Sequence, residues 1–147
     1  MSTIKVDTYL TRGGASEIAI DKLKGVSSAG SMTVVGEGGT NTTNLQQGLI
    51  KGWIRFDGTG TIAIDDSFNY ASITDNGSGD YTTTLSTAMG NVNYSPTAGA
   101  GDRNYGAKID LEHSATNTTT AMRLRITSLE ATGDTDLVSI HIAGDLA

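Results

Sequence analysis

From Leu49 onward, apolar and polar residues alternate in short runs, and clusters of Gly, Asn and Asp separate one run from the next. A period of two sends successive side chains to opposite faces of a strand, so that one face can be buried while the other meets water. No run shows the period that an amphipathic helix requires. The pattern predicts an all-β fold, namely an antiparallel β-sandwich or jelly-roll-like module.

The last two runs, residues 121–129 and 137–143, show this alternation most clearly. Arg123 and Arg125 are expected to face outward in the first of them. β-Branched and long apolar residues on the other side suit a sheet face that is packed against a core. The apolar side chains expected to point into the core are Met122, Leu124, Ile126, Val138, Ile140 and Ile142.

Two hairpins are expected in the middle of the chain. The dipeptide Asp57-Gly58 is a strong hairpin signal, because Gly tolerates the positive φ of a type I′ turn. In the strand before it, Ile50, Ile54 and Phe56 should share the core-facing side. The second hairpin closes at residues 75–79. The strands expected in this part of the chain are residues 49–56, 61–64, 67–74, 80–85, 93–98 and 107–113.

Two segments near the N-terminus show β-type patterns of their own. Residues 2–10 alternate, with Ile4, Val6 and Leu10 on one side, as in a strand with one buried face. Residues 16–24 fit either a short strand or a single helical turn, and the Ile residues in them favour the strand.

The segment 25–48 has a different composition from the rest of the chain. It is rich in Gly and poor in large apolar residues, which is typical of an extended arm or linker. We therefore expect an N-terminal attachment arm over residues 1–47 and a β-sandwich module over residues 48–147.

The apolar content indicates that the chain works as an oligomer. Its 147 residues suffice for one domain, but only 37% of them are hydrophobic, and 19 are Gly. Folding must offset a loss of chain entropy of roughly 1–2 kcal/mol per residue. A thin core and the edge strands of a sandwich both favour additional burial against neighbouring subunits.

Charge and composition exclude several classes of partner. A formal net charge of −6 argues against binding to nucleic acid, which needs clustered Lys and Arg. No run approaches the roughly 20 apolar residues that cross a bilayer, so membrane insertion is not expected. The start of the chain lacks a signal-peptide pattern, which predicts synthesis in the cytoplasm. Because Cys is absent, disulfides and thiolate metal sites are excluded.

Two acidic segments contain residue types that occur in catalytic or metal sites. The loop from Asp75 to Asp80 has oxygen ligands that suit Ca²⁺, but it lacks the rest of an EF-hand, and a hairpin turn is favoured. Asp65 and Asp66 could pair across a glycosidic bond only if they converged, whereas adjacent strand residues point apart. A charged bend between strands is favoured there. We expect no catalytic residue, no cofactor and no metal.

The residues expected to bind partners are aromatic and cationic. Trp53 shares a strand face with Lys51 and Arg55, where it could stack on a sugar or, as we favour, form a contact between sheets or subunits. The segment around Arg103 also combines cationic and aromatic groups, which are enriched at interfaces. The complete predicted set is Trp53, Arg55, Tyr94, Arg103 and Tyr105.

Four segments carry a resemblance to a known family. They read WIRFDGTGTIAI at residues 53–64, DSFN at 66–69, SITDNGSGDYT at 72–82 and MSTIKVDT at the start. This sequence resembles a module of virion proteins from marine and freshwater tailed phages, including cyanophages. The resemblance implies a β-sandwich of the tail-fibre-like or capsid-decoration type, which is often trimeric, and it implies no catalytic residues. A basic residue is usual in that family where Asp65 stands here.

The function expected from these features is that of a structural protein in a phage virion. The first hypothesis is a homotrimeric tail-fibre-like component that attaches through its arm and presents the β-module to a host receptor or to other virion proteins. The alternative is a capsid decoration, or cement, protein that binds the major capsid protein and stabilises the head. A polysaccharide-cleaving tail enzyme is the least favoured, since no carboxylate constellation supports it.

Overall fold

The computed structural model describes residues 22–23, 32–101, 108–111, 117–127 and 133–147. These residues form an all-β structure with one short helix, which confirms the predicted fold class. In chain order the elements are β1 (Thr33–Val35), β2 (Thr42–Asn44), α1 (Leu45–Gly48), β3 (Ile50–Asp57), β4 (Ala63–Phe68), β5 (Tyr70–Gly77), β6 (Asp80–Leu85), β7 (Ser95–Gly101), β8 (Lys108–Leu111), β9 (Ala121–Thr127) and β10 (Leu137–Ala143).

Eight of these strands form two four-stranded antiparallel sheets. The first sheet has the order β4-β3-β10-β7, and the second has the order β5-β6-β9-β8. The two sheets pack their apolar faces against each other, as alternating side chains in a sandwich should. Strands β1 and β2 pair separately as a small hairpin.

The core contains every apolar residue that the last two runs placed inward. Met122, Leu124 and Ile126 of β9 are buried, as are Val138, Ile140 and Ile142 of β10. Phe56 and Tyr81 meet across the sandwich with ring centroids 5.2 Å apart in an edge-to-face arrangement. The prediction for both runs is therefore confirmed where the chain is described, and β10 matches its predicted bounds.

Strands β4 and β5 are nearly one continuous strand that changes sheet at Asn69. This residue has a left-handed backbone with φ of 61°, which Asn tolerates better than most residues. Its side chain accepts a bond from the Thr87 amide at 2.7 Å and donates to the Lys51 carbonyl at 2.9 Å. The predicted strand over residues 67–74 is therefore divided at Asn69, while its part from Tyr70 onward pairs with β6 and confirms the second predicted hairpin.

The first hairpin forms as predicted, but its turn does not. Residues 58–62 separate β3 from β4, so the connection is longer than a two-residue type I′ turn. Positive φ occurs at Gly60, whereas a Cβ at Gly58 would collide with the Tyr81 hydroxyl. Gly58 thus permits a close approach of two chain segments. The predicted return strand over 61–64 lies instead at Ala63–Phe68.

Asp65 and Asp66 lie inside β4 rather than at a bend between strands. The register between β3 and β4 shifts beside them, because Arg55 pairs with Asp66 while Phe56 pairs with Ile64. Asp65 is the extra residue of this bulge. A bulge of this kind twists an edge strand and weakens its tendency to pair with another chain.

The predictions for the N-terminal part fall mostly outside the described residues. This holds for the strand at 2–10 and for all of segment 16–24 except Lys22 and Leu23. The described part of the predicted arm, residues 22–23 and 32–47, contains the β1–β2 hairpin and residues 45–47 of α1, and none of its residues is buried. Asn44 caps α1 by accepting a bond from the Gln47 amide at 3.2 Å.

The two ends of the sandwich are made of different segments. At one end lie α1, Asn69, residues 86–94 and residues 144–147, and we call it the base end. At the other end lie residues 58–62, 78–79 and 133–136, and we call it the loop end. The N-terminal part joins the sandwich at the base end, through α1 and β3.

Candidate functional site

An apolar groove with a volume of about 630 Å³ opens at the base end. Its walls are α1, the start of β3, the end of β4 and the C-terminal residues. We call it the base groove; its apolar lining is Leu49, Ile50, Phe68 and Leu146, and its polar lining includes Gln47, Lys51 and Asp145.

Polar contacts hold α1 against the sandwich and so shape one wall of the base groove. Lys51 is 7% exposed, and its ammonium donates to the carbonyls of Gln46 and, at 3.0 Å, of Leu49. These carbonyls belong to the end of a short helix, where a cation is favourable. The Gln47 amide side chain donates to the Asp145 carboxylate. The base groove is thus built from contacts between α1, β3 and the C-terminal segment.

Ile50 lines the base groove because a bulge reverses its orientation. The pairing of β3 with β10 runs from Ile142 and Gly52 to Ala143 and Ile50, which leaves Lys51 as an extra residue. Ile50 is therefore 52% exposed, and its predicted place in the core beside Ile54 and Phe56 is wrong. Lys51 is buried, so its predicted place on the outer strand face is wrong as well.

Four of the nine large apolar residues that are exposed among the described residues line the base groove, and the other five are Leu23, Val34, Val35, Ile64 and Val92. Leu49, Ile50 and Phe68 are each 52% exposed, and Leu146 is 42% exposed. The outer face of the second sheet carries instead polar residues such as Thr82, Thr84, Arg123 and Arg125. Clusters of exposed apolar side chains are typical of protein-binding surfaces, membrane-binding surfaces and ligand-binding grooves.

Two predicted partner-binding residues lie on the outer face of the first sheet. Trp53 is half-buried, and its cross-strand neighbours are Phe68 on β4 and His141 on β10. Trp53 therefore continues the apolar surface of the base groove onto the sheet. Arg55 is exposed and forms an ion pair with Asp65, with Nε 3.1 Å from Oδ2. Such exposed pairs contribute little to stability.

Of the other three predicted partner-binding residues, the structure describes only Tyr94. Tyr94 is 9% exposed, and its hydroxyl lies 3.1 Å and 3.2 Å from the carbonyls of Thr118 and Ala121. Burial raises the pKa of Tyr94. The structure therefore places Tyr94 in the core, which corrects its assignment as an exposed anchor. Arg103 and Tyr105 lie outside the described residues, in the connection between β7 and β8.

The acidic turn between β5 and β6 is tied internally rather than open to a cation. The Asp75 carboxylate accepts a bond from the Gly77 amide at 2.8 Å, as in an Asx turn. Asp80 binds the Nε of Arg123 at 2.7 Å and the Nε of Arg125 at 3.2 Å. Hydrogen bonding to Arg123 lowers the pKa of Asp80 to about 2. Within the described residues, no cluster of three or more His, Cys, Asp or Glu side chains could hold a metal ion.

The adjacent carboxylates in β4 do not converge on a common point. Asp65 binds Arg55, whereas the Asp66 carboxylate accepts a bond from the Ser67 amide at 2.8 Å. General acid and base groups of a glycosidase must face one substrate bond. The geometry of this pair therefore offers no carboxylate couple for such a reaction.

Sequence reasoning missed most of the base groove. The sequence could have indicated Phe68 as a site residue, because it is a large apolar residue at the end of the acidic strand Ala63–Phe68. The local sequence does not indicate Leu49 or Leu146 as site residues, because their exposure depends on how α1 and the C-terminal segment fold against the sheet. Sequence reasoning also missed Asp134 at the loop end. Its carboxylate lies 2.7 Å from both the Tyr81 hydroxyl and the Gly79 amide.

Comparison with family models, with curated proteins and with solved structures finds no match to this chain. Among the described residues, no helix has the length and apolar character needed to cross a membrane. The functional argument therefore rests on the fold and on the surfaces described above.

Proposed function

We propose that this chain is a structural protein of a tailed-phage virion, a homotrimeric tail-fibre-like component that attaches through its N-terminal arm. The observation that carries the proposal is the base groove, an exposed apolar surface on a small β-sandwich whose second sheet has a polar outer face. Such a surface suits permanent contact with other subunits, whose interfaces are richer in apolar residues than ordinary protein surface. The sequence resemblance to phage virion modules supplies the virion context.

The position of the arm supports different roles for the two ends of the sandwich, namely attachment at the base end and recognition at the loop end. Met32, in the predicted arm, bonds through its carbonyl to the Leu45 amide of α1 at 2.9 Å. The arm thus joins the module at the base end, beside the base groove. The base end then holds the protein to the particle, and the loop end projects outward to a host receptor or another virion protein.

The protein works in this proposal by binding rather than by catalysis. Three of the described carboxylates fit that proposal, because Asp65 and Asp66 bind different partners and Asp80 binds two arginines. A test for enzymatic action is the depolymerisation of host capsular polysaccharide. Release of reducing sugar ends by the purified protein would contradict the assignment.

A second candidate is a capsid decoration protein that stabilises the phage head. The observation that favours it is the described part of the arm at residues 32–47, where no side chain is buried and a neighbouring protein could therefore be contacted along its length. In this case the arm would lie on the major capsid protein, and the base groove would meet neighbouring subunits at a capsid symmetry axis.

Quantitative mass spectrometry of purified particles tests the proposal and separates its two forms. The chain should be present in particles that have been washed free of soluble protein. A copy number close to that of other tail proteins supports the tail-fibre-like form, and one close to that of the major capsid protein supports decoration. Absence of the chain from purified particles would refute a virion role altogether.

A further inference from the structure

We propose that the base groove binds the N-terminal segment 4–10 of a neighbouring copy of this chain. The inference rests on the proposed function, because it names the partner through which the base end joins subunits. The occupant is apolar on one side, with Ile4, Val6 and Leu10 spaced so that an extended backbone presents them together.

The chemistry of the base groove fits such a segment. Its three half-exposed residues Leu49, Ile50 and Phe68 offer apolar contacts to one side of an extended strand. Asp145 also lines the base groove, and its negative carboxylate complements the positive charge of Lys5 on the other side of the segment. An extended peptide that places alternate side chains in apolar pockets is a common mode of recognition.

The course of the chain brings this segment within reach of the base groove. The continuous described part of the arm begins at Met32, whose carbonyl is bonded to α1, and α1 is itself a wall of the base groove. The stretch from Leu10 to Met32 can extend over about 70 Å. That length spans a small domain, so the segment can reach the base groove of an adjacent subunit.

The surfaces of the sandwich favour a neighbouring copy as the donor. The outer face of the second sheet is polar, and the edge strand β4 has a charged bulge at Asp65 that discourages pairing with another strand. Among the exposed large apolar residues of the described sandwich, Ile64 alone lies away from the base end. If each copy inserts its segment 4–10 into the base groove of the next, the copies are joined through the apolar surface at the base end.

The test is disulfide trapping, which is unambiguous because the chain has no Cys. The full-length variant Val6→Cys/Phe68→Cys is treated with a mild oxidant under native conditions and run on a non-reducing denaturing gel. We expect covalent trimers, with peptide mapping joining positions 6 and 68. Each single variant can form at most covalent dimers, so the trimer requires both substitutions.

Two double variants serve as matched controls. Val6→Cys/Thr74→Cys moves the second thiol to an exposed site on β5, away from the base groove, and Asp7→Cys/Phe68→Cys moves the first thiol to the opposite side of the segment. Both should cross-link at least tenfold more slowly. Trapping no faster than in the Thr74 control would overturn the inference.

An internal disulfide in a monomer would also overturn it, because the segment would then occupy the base groove of its own chain. Neither negative result bears on the virion role, which is decided separately by the presence of the wild-type chain in purified particles. A trimer that assembles and enters particles without the 6–68 link would leave the proposed function intact and refute this contact.

Discussion

The hydroxyl of Tyr81 donates a hydrogen bond to the carboxylate of Asp134 at 2.7 Å, and this bond joins strand β6 to the connection between β9 and β10 at the loop end. The same carboxylate oxygen accepts the Gly79 amide at 2.7 Å, and the Gly58 amide donates to the Thr135 carbonyl at 2.9 Å. Burial, followed by the bond to Asp134, raises the pKa of Tyr81. The phenol therefore stays protonated at neutral pH and remains a donor.

Removing this carboxylate should loosen the loop end. We expect Asp134→Ala to lower the free energy of unfolding by about 1–3 kcal/mol, because the Gly79 amide loses its acceptor and the Tyr81 hydroxyl keeps only the Gly58 carbonyl at 3.1 Å. Asp134→Asn keeps an oxygen acceptor and should lose less. Chemical denaturation measures both, and amide exchange at Gly79 should accelerate in the Ala variant. Equal stability of Asp134→Ala and the wild type would show that the bonds contribute nothing.

The Asp80 cluster predicts a dependence of stability on acidic pH. The pKa of Asp80 falls from its ordinary value of 3.8 to about 2, chiefly through the hydrogen bond to Arg123. A group with a lowered pKa adds stability above its ordinary pKa and loses it as pH falls through the folded value. The wild type should therefore lose this contribution between about pH 4 and pH 2.

Asp80→Asn should remove that contribution at neutral pH, with a loss of about 1–2 kcal/mol, since the arginines are partly solvated. The gap in unfolding free energy between wild type and variant should close as pH approaches 2. Denaturant titrations at pH 7, 4 and 2 give the comparison. A gap that is unchanged at pH 2 would contradict the assigned role of Asp80.

Tyr70 presents the opposite case, a buried hydroxyl without a partner. It is 7% exposed, and its hydroxyl has no hydrogen-bond partner among the described residues. An unpaired buried polar group is unfavourable, so Tyr70→Phe should leave stability unchanged or raise it by about 1 kcal/mol. Tyr94→Phe is the matched control and should lower it by about 1 kcal/mol. A destabilised Tyr70→Phe would indicate an unrecognised partner.

The core role of β10 predicts a large effect from a single charge. Ile140 is fully buried between Val138 and Ile142 on the inner face of the sheet. Ile140→Asp would bury an unpaired carboxylate and should cost several kcal/mol, enough to unfold a domain whose whole stability is about 5–15 kcal/mol. Ser139→Asp, on the outer face, should be tolerated. Circular dichroism during thermal melting distinguishes them, and a cooperative melt of Ile140→Asp would refute the placement.

The parts of the fold that could be predicted are those where local pattern and tertiary packing agree. Alternation in β10 identified its bounds and its buried face, because one register satisfies all of its apolar residues. Alternation failed at Ile50, where a bulge at Lys51 reverses the side chain. It failed again at Asn69, where a left-handed backbone divides one polar run into two strands.

The candidate site was less predictable, because it depends on contacts between distant segments. Trp53 was identified from its residue type, and it lies beside Phe68, yet nothing in the local sequence brings Leu146 near Leu49. The contacts that hold α1 against the sandwich join Lys51 to Gln46 and Gln47 to Asp145, and the second of these spans 98 positions of the chain. Such pairings follow from the completed fold rather than from spacing.

The central claim is that exposed apolar residues at the base end hold copies of the chain together. Sedimentation of the purified protein at micromolar concentration tests this claim most directly, with wild type compared with Phe68→Asp and with the control Thr74→Asp on the edge strand β5. We predict that wild type and Thr74→Asp sediment as trimers and that Phe68→Asp sediments as a folded monomer. A stable wild-type monomer, or a Phe68→Asp trimer as stable as the wild type, would contradict the account.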